Sequence, residues 1–483
     1  MTATRDARTG LGAGVGERLA AMVPADRAVA AEGDLASATA VAPSLDPIAL
    51  YAAAVEADLE TALWLHPSEG VAFVGIGRAW AVEAGGAARF ADAEAAWREL
   101  LDGARIDRPA DAPPGAGPVL LGAMGFTGRE PATDDAWGPF GASSLVLPEL
   151  LLTVTPLGAF VTASLVDGVP DGARRLDARW TRLTDRAREL RPSPNGIVAM
   201  PVFAPLRTTE EQPSHDEWRR LVGMYAGAVG RGRIDKVVLA RRVGLRSPVE
   251  LDVPNALRRL AASAPESTTY AYRRNGRTFL GATPERLVRT EGRTFRTVAV
   301  AGTIRRGADP AEDAVLARRL LASEKDREEH LIVVDAIRDL LEPVADSLTI
   351  APEPGVMTLR FVQHLVTEIT GTVPEGRGLL ALGERLHPTP AVGGDPRTVA
   401  LALIDEHEGF DRGWYAGPIG WLGADGDGEL CVALRCGIVD RTQATLFAGC
   451  GIVADSDPDL EWEESRIKLQ AVISALGIPE DDA

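Results

Sequence analysis

The chain is short of everything that would tie it to a membrane, a nucleic acid or an oxidising compartment. Only three of its 483 residues are cysteines, an odd number that cannot complete a disulfide framework. Cys431, Cys436 and Cys450 cluster late in the chain at a spacing that fits no zinc pattern, so they are expected reduced and on core strands. No apolar run has the roughly 20 residues of a membrane span, and nothing resembles a signal peptide. Bases are fewer than acids, 51 against 69, which leaves a formal charge of −18. That balance argues against nucleic acid or an anionic membrane as partner. A cytoplasmic protein is the expectation. An anionic substrate would need a local basic pocket working against the global field.

What is present is an ordinary globular composition, 46% hydrophobic and 25% charged, with length enough for a large core. Residues 1–42, rich in Ala, Gly, Thr and Asp, read as a flexible tail. The run at 10–19, GLGAGVGERL, looks like a phosphate loop, but no strand precedes it. Residues 43–480 read as one large domain, with a Pro-bearing connection at 192–205 between a 43–205 half and a 206–480 half. Strands are expected at 71–76, 119–123, 145–154 and 160–165, the last two forming a hairpin, and later at 235–241, 430–439 and 444–453. Helices are expected at 171–190, 215–230, 323–344 and 460–476. Helices alternating with paired strands predict an α+β fold rather than a parallel wheel.

The helix at 323–344 is the focal stretch. Ser323 can cap it, with Asp326 three residues on. At 100° per residue Ile332, Val333, Ala336, Ile337 and Leu340 make an apolar stripe, and Glu329 falls inside it. A carboxylate on a buried face calls for a cation, unless Glu329 simply lies at the rim. In the last helix Glu461, Glu464 and Lys468 project from one side, next to Leu469, Val472, Ile473 and Leu476. That trio is either a solvated surface pair or part of a site. Glu329 and Glu464 together would suit a hard cation such as Mg²⁺, which takes few protein carboxylates.

Other residues could carry chemistry. Lys236 shares a strand face with Val238 and Ala240, where it could lose its charge and act as a base, or simply guard a sheet edge. Glu285 follows Pro284 in a turn and is either a desolvated acid or a solvated turn residue. Arg435 is the lone charge in the apolar run CVALRCGIV, which points to a buried anion as its partner. Gly449 and Gly451 allow close approach of backbone to a ligand. His364 and His387 read more simply as histidines satisfied by backbone partners.

Taken together, KVVLARR, GATPERL, AGTIRRG, SEKDREEHLIVV, VQHL, LHPTPAVGG, FDRGWYAGPIGW, LRCGIV and FAGCGIVADSDPDLEWEESRIK resemble the chorismate-utilising enzymes. The likeness is strong over 215–477, in family order, and weak over the first half. It implies a fold of two orthogonally packed antiparallel sheets flanked by helical layers. It implies that Glu329 and Glu464 hold Mg²⁺, with Asp326 and Glu461 nearby through water. Arg435 and Lys468 match groups that bind substrate carboxylates, helped by backbone amides at Gly302, Thr303 and Gly451. Tyr415 matches a position beside the enolpyruvyl carboxylate, and His364 and Ala391 fall in motifs of the substrate site. Lys236 matches the lysine that activates water in members adding water to the ring, and ammonia-using members lack it. Glu285 matches the acid that protonates the leaving C4 hydroxyl. Ala391 in the TPA sequence favours isochorismate as product over salicylate, and no LLES-like tryptophan site is seen. The expectations are therefore chorismate as substrate, Mg²⁺ as cofactor, no amidotransferase partner and a monomer.

Overall fold

The computed structural model describes residues 34–132, 135–167, 171–190, 206–358 and 362–477, with Arg18 in addition and without the Glu329 side chain. All 23 strands among the described residues fall into two sheets, and each sheet draws on both halves of the chain. The larger, of thirteen strands, runs from Arg207–Gln212 through Lys236–Arg246, Gln443–Ile452, Cys436–Asp440, Arg277–Thr283 and Thr268–Arg274. It then continues into the first half through Thr61–His66, Val71–Ile76, Leu150–Thr155, Gly158–Val166, Leu35–Val41 and Arg105–Asp107. The smaller, of ten strands, includes Val362–Thr372, Thr294–Arg305, Arg286–Glu291, Gly428–Val432, Pro418–Gly423, Val119–Met124 and Ser143–Leu147. Every pairing is antiparallel except that of Leu35–Val41 with Arg105–Asp107.

Alternating apolar residues on the facing sides of the sheets build one core. Phe73 of the larger sheet meets Trp421 of the smaller with ring centroids 4.8 Å apart, and the Tyr272 hydroxyl donates to the Gly420 carbonyl. Trp137, Phe279, Phe447 and Trp414 fill the same space. Each such side chain, fully buried, contributes about 1.5–3 kcal/mol. A second core lies on the other face of the larger sheet, under helices Pro47–Glu56, Gly172–Leu190, Val253–Ser263 and Pro458–Ala475.

Four expectations need correction. Structure begins earlier than residue 43: Leu35–Val41 is a strand, buried over its first five residues and paired along its length with Gly158–Val166. Residues 145–154 are two strands in different sheets, Ser143–Leu147 and Leu150–Thr155, because Pro148 lacks a ladder N–H. Residues 430–439 divide likewise into Gly428–Val432 and Cys436–Asp440, so Arg435 lies in the turn between them, not inside a strand. In helix Glu324–Leu341 the buried face is His330, Val334, Ile337 and Leu341, while Ile332 is 65% exposed. The stripe is thus rotated away from the one expected. The connection at 192–205 and the run at 10–19, but for Arg18, lie outside the described residues. Cys431, Cys436 and Cys450 are free and buried on strands. Among the described residues no helix is long and apolar enough to cross a membrane.

Candidate active site

The strand Lys236–Arg246 lies beside Gln443–Ile452 in a register that sets Val238 opposite Gly451. The Lys236 side chain crosses Gly451: a Cβ on that glycine would stand 2.4 Å from Lys236 Cε and 3.0 Å from Nζ. Only glycine leaves room for the lysine there. Burial holds the Lys236 ammonium below the usual lysine range; Glu285, Glu464 and Glu461 pull it back up, and Lys468 pushes it further down.

Glu285 stands where the chain steps from Arg277–Thr283 in the larger sheet to Arg286–Glu291 in the smaller. Its N–H donates to Thr283 Oγ1 at 3.2 Å, and its carbonyl accepts the Val432 N–H at 2.9 Å. Burial raises its carboxyl above the usual range, against the pull of Lys236, Arg435 and Lys468. Arg435 makes the return step between the sheets, with φ at +49°, a left-handed conformation that a non-glycine residue adopts at some strain. Its carbonyl accepts the Ala282 N–H. Among the described residues no ion pair or hydrogen bond engages its guanidinium, which burial pushes down and Tyr415, Glu285 and Glu464 pull up. A half-buried cation in this state is ready for an anion.

Tyr415 is buried, its ring stacked on Phe447 at 5.5 Å and 16°. A Cβ on Gly449 would stand 2.8 Å from its hydroxyl. From helix Pro458–Ala475, capped by the Asp457 side chain, Lys468 reaches back to bond the Gly449 carbonyl at 2.8 Å and Glu464 at 2.6 Å. The oxygens of Glu461 and Glu464 and the sulfur of Cys450 lie within 4.8 Å of one another. Burial, with help from Glu464, raises the Glu461 carboxyl, while a hydrogen bond from Ser456 opposes the shift. Burial pushes the Cys450 thiol up to about 12, so it stays protonated near neutrality. Lys236, Glu285, Tyr415, Arg435, Gly451, Glu461, Glu464 and Lys468 thus come together.

Gly302, Thr303, His364 and Asp326 form a second group on the smaller sheet. Gly302, with φ at +71°, makes a bulge between Ala301 and Thr303, and a Cβ on it would stand 3.2 Å from Asp326 Cβ. Thr303 Oγ1 and His364 Nδ1 are 2.9 Å apart. Ser323 caps the following helix by accepting from the Asp326 N–H. No hydrogen bond or ion pair joins the two groups among the described residues. Ala391 is exposed on a loop, and His387 is buried with Nε2 3.0 Å from the Phe126 carbonyl. Glu329 lies on helix Glu324–Leu341, with its side chain outside the described residues.

Sequence reading passed over one pair, Glu408 and Arg412, an ion pair with both side chains almost wholly buried. The signal was there: Arg412, beside Asp411, is a basic charge inside the largely apolar-aromatic run FDRGWYAGP.

This two-sheet α+β architecture, with Lys236, Glu285, Arg435 and Lys468 brought together, is the chorismate-utilising fold. Residues 21–477 match the family described as chorismate binding enzyme, and the chain belongs to that family. It is 37% identical to the salicylate biosynthesis isochorismate synthase of Pseudomonas aeruginosa over 433 residues, 89% of this chain and 88% of that one. It is 35% identical to isochorismate synthase MenF of Bacillus subtilis, over 75% of each chain. Among solved structures, MenF of Escherichia coli superposes with a TM-score of 0.76 at 25% identity, covering 96% of this chain and 99% of that one. Anthranilate synthase component I of Streptococcus pneumoniae, at 21% identity and a TM-score of 0.65, shares the fold.

Proposed function

We propose that the chain is an isochorismate synthase, which isomerises chorismate by adding water at ring C2 and losing the C4 hydroxyl. The observation that carries this reading is the juxtaposition of Lys236 and Glu285, each shifted toward its neutral form by burial. A neutral lysine and a protonated glutamate are the base and acid the reaction needs. The names of the relatives at 35–37% identity support the same activity.

Lys236 takes a proton from water as its oxygen bonds to C2. The ring double bonds shift, the C4–O bond breaks, and Glu285 gives its proton to the departing hydroxyl. One water enters and one leaves, so no oxidant or reductant is required. Arg435 and Lys468 hold the substrate carboxylates, with amides at Gly302, Thr303 and Gly451, and Tyr415 flanks the enolpyruvyl group. Glu461 and Glu464, two crowded carboxylates of which one is pushed toward its proton, fit a hard divalent cation. Glu329 and Glu464 would hold Mg²⁺ directly, with Asp326 and Glu461 through water. Bound there, Mg²⁺ supplies positive charge to offset what builds on the ring carboxylate.

The test is incubation with chorismate and Mg²⁺, with products separated and identified. Isochorismate without pyruvate is the expected result, and Lys236→Ala should lose about 10²–10⁴-fold in turnover. Substantial pyruvate release would assign a salicylate synthase instead. Unchanged isochorismate formation by Lys236→Ala would remove the base.

A further inference from the structure

One edge of the strand that carries Lys236 is interrupted. On its other side Lys236–Arg246 pairs with Gln443–Ile452 from Val237 onward. On this side it pairs with Gly394–Asp395 only at Lys236 and Val237, and with Arg207–Gln212 only from Arg242 onward. The stretch 238–241 has no strand beside it there among the described residues. A buried ladder edge without partners is expensive, at about 1–3 kcal/mol for each unpaired group.

One loop carbonyl and two side chains fill the gap. The Val238 N–H donates to the Gly393 carbonyl at 3.0 Å, and the Val238 carbonyl accepts from Arg412 Nη2 at 2.9 Å. The Ala240 N–H donates to Glu408 Oε1 at 2.8 Å. Arg412 Nε bonds Glu408 Oε2 at 2.7 Å, and Nη2 pairs with Oε1. The sixth contact leads elsewhere: Arg412 Nη1 donates to the Val392 carbonyl at 2.7 Å, next to Ala391 in the substrate loop. The guanidinium also lies over the Phe126 ring, 4.4 Å from its centroid. Arginine's planar fork spans such divergent acceptors; an ammonium cannot.

We propose that Glu408 and Arg412 are positioning residues: the pair stands in for a missing length of strand, fixes the aim of Lys236, and couples that strand to the loop bearing Ala391. The inference rests on the reading of Lys236 as the base. A buried ion pair is weak evidence for stability, because an apolar pair of similar volume is often as stable or more so. The pair also satisfies two buried ladder groups, so it supports the fold; what is proposed is that it sets position as well, which kcat and the pH profile read and Tm does not.

The experiment compares the full-length protein with Arg412→Lys and with the double variant Glu408→Leu/Arg412→Met, using Lys236→Ala as reference. Measured are kcat and KM for chorismate, the pH profile of kcat, and Tm. In both the single and the double variant, kcat is expected to fall about 100-fold, the loss that a roughly 1 Å misplacement produces. The pH profile should move, since Lys236 then sits in altered surroundings. If the double variant does not fold, Arg412→Lys decides alone. Parental kcat and an unmoved pH profile in the folded variants, whatever the Tm, would overturn the proposal while Lys236→Ala remains inactive. Should Lys236→Ala itself keep turnover, the fault lies in the reading of the base.

Discussion

Replacing Gly451 with alanine tests where Lys236 must sit without touching its chemistry. The new Cβ would stand 2.4 Å from Cε and 3.0 Å from Nζ, whereas ordinary contact begins at 3.4 Å. The lysine tip is the flexible party and has to retreat by roughly 1 Å, a displacement that can remove about 100-fold of rate. That corresponds to about 2.7 kcal/mol of transition-state stabilisation. The fold should tolerate the change. Gly451 lies in a strand, outside the positive-φ region where alanine is strained, and its N–H is retained. The assay is steady-state isochorismate formation at saturating chorismate and Mg²⁺, paired with a thermal melt. The expected outcome is kcat lowered about 100-fold at nearly constant Tm. If kcat stays within about threefold of the parent while Tm is unchanged, a misplacement of this size is harmless, and Lys236 is not the positioned base.

Two further outcomes follow from neighbouring geometry. Gly449→Ala sets its methyl 2.8 Å from the Tyr415 hydroxyl and 3.1 Å from the Leu239 carbonyl, neither of which yields easily given the stack on Phe447. Overpacking of about 1–2 kcal/mol should raise KM roughly tenfold, with kcat less affected, as kinetics with chorismate would show. Lys236→Met should stabilise the protein while inactivating it. The folded state holds the Lys236 proton less tightly than the unfolded chain does, so protonation favours unfolding at every pH below the ordinary lysine value of about 10.4. Melts should therefore show the variant ahead at pH 7, with the gain shrinking as pH approaches 10. A gain that grows with pH would contradict the direction of the shift.

The parts of the site that sequence could reveal were those with a local signature. Lys236 between apolar strand neighbours, Glu285 after Pro284, and the Glu461, Glu464 and Lys468 spacing all depend on residues close in the chain. Their assembly did not show locally, because the strand of Lys236 and the helix of Lys468 are more than two hundred residues apart. Strand limits failed where the chain changes sheets: 145–154 and 430–439 are continuous in hydrophobicity, yet Pro148 and the turn at Arg435 redirect them. Helical periodicity misplaced the stripe of Glu324–Leu341, since His330 is buried against Thr367 while Ile332 is left outside. Burial of a polar residue with a good partner is invisible to a hydrophobic count. The Glu408 and Arg412 pair was missed for the same reason.

The two sheet crossings at Glu285 and Arg435 lie side by side and are stitched together, Val432 N–H to the Glu285 carbonyl and Ala282 N–H to the Arg435 carbonyl. Glu285 and Arg435, the proposed acid and anion-binding arginine, therefore ride on one seam, while Lys236 belongs to the larger sheet alone. The strands of the first half all lie to one side of that seam, beyond Thr268–Arg274 in the larger sheet and beyond Pro418–Gly423 in the smaller. A slip of one sheet over the other would carry Lys236 and Glu285, the proposed base and acid, apart in a single stroke.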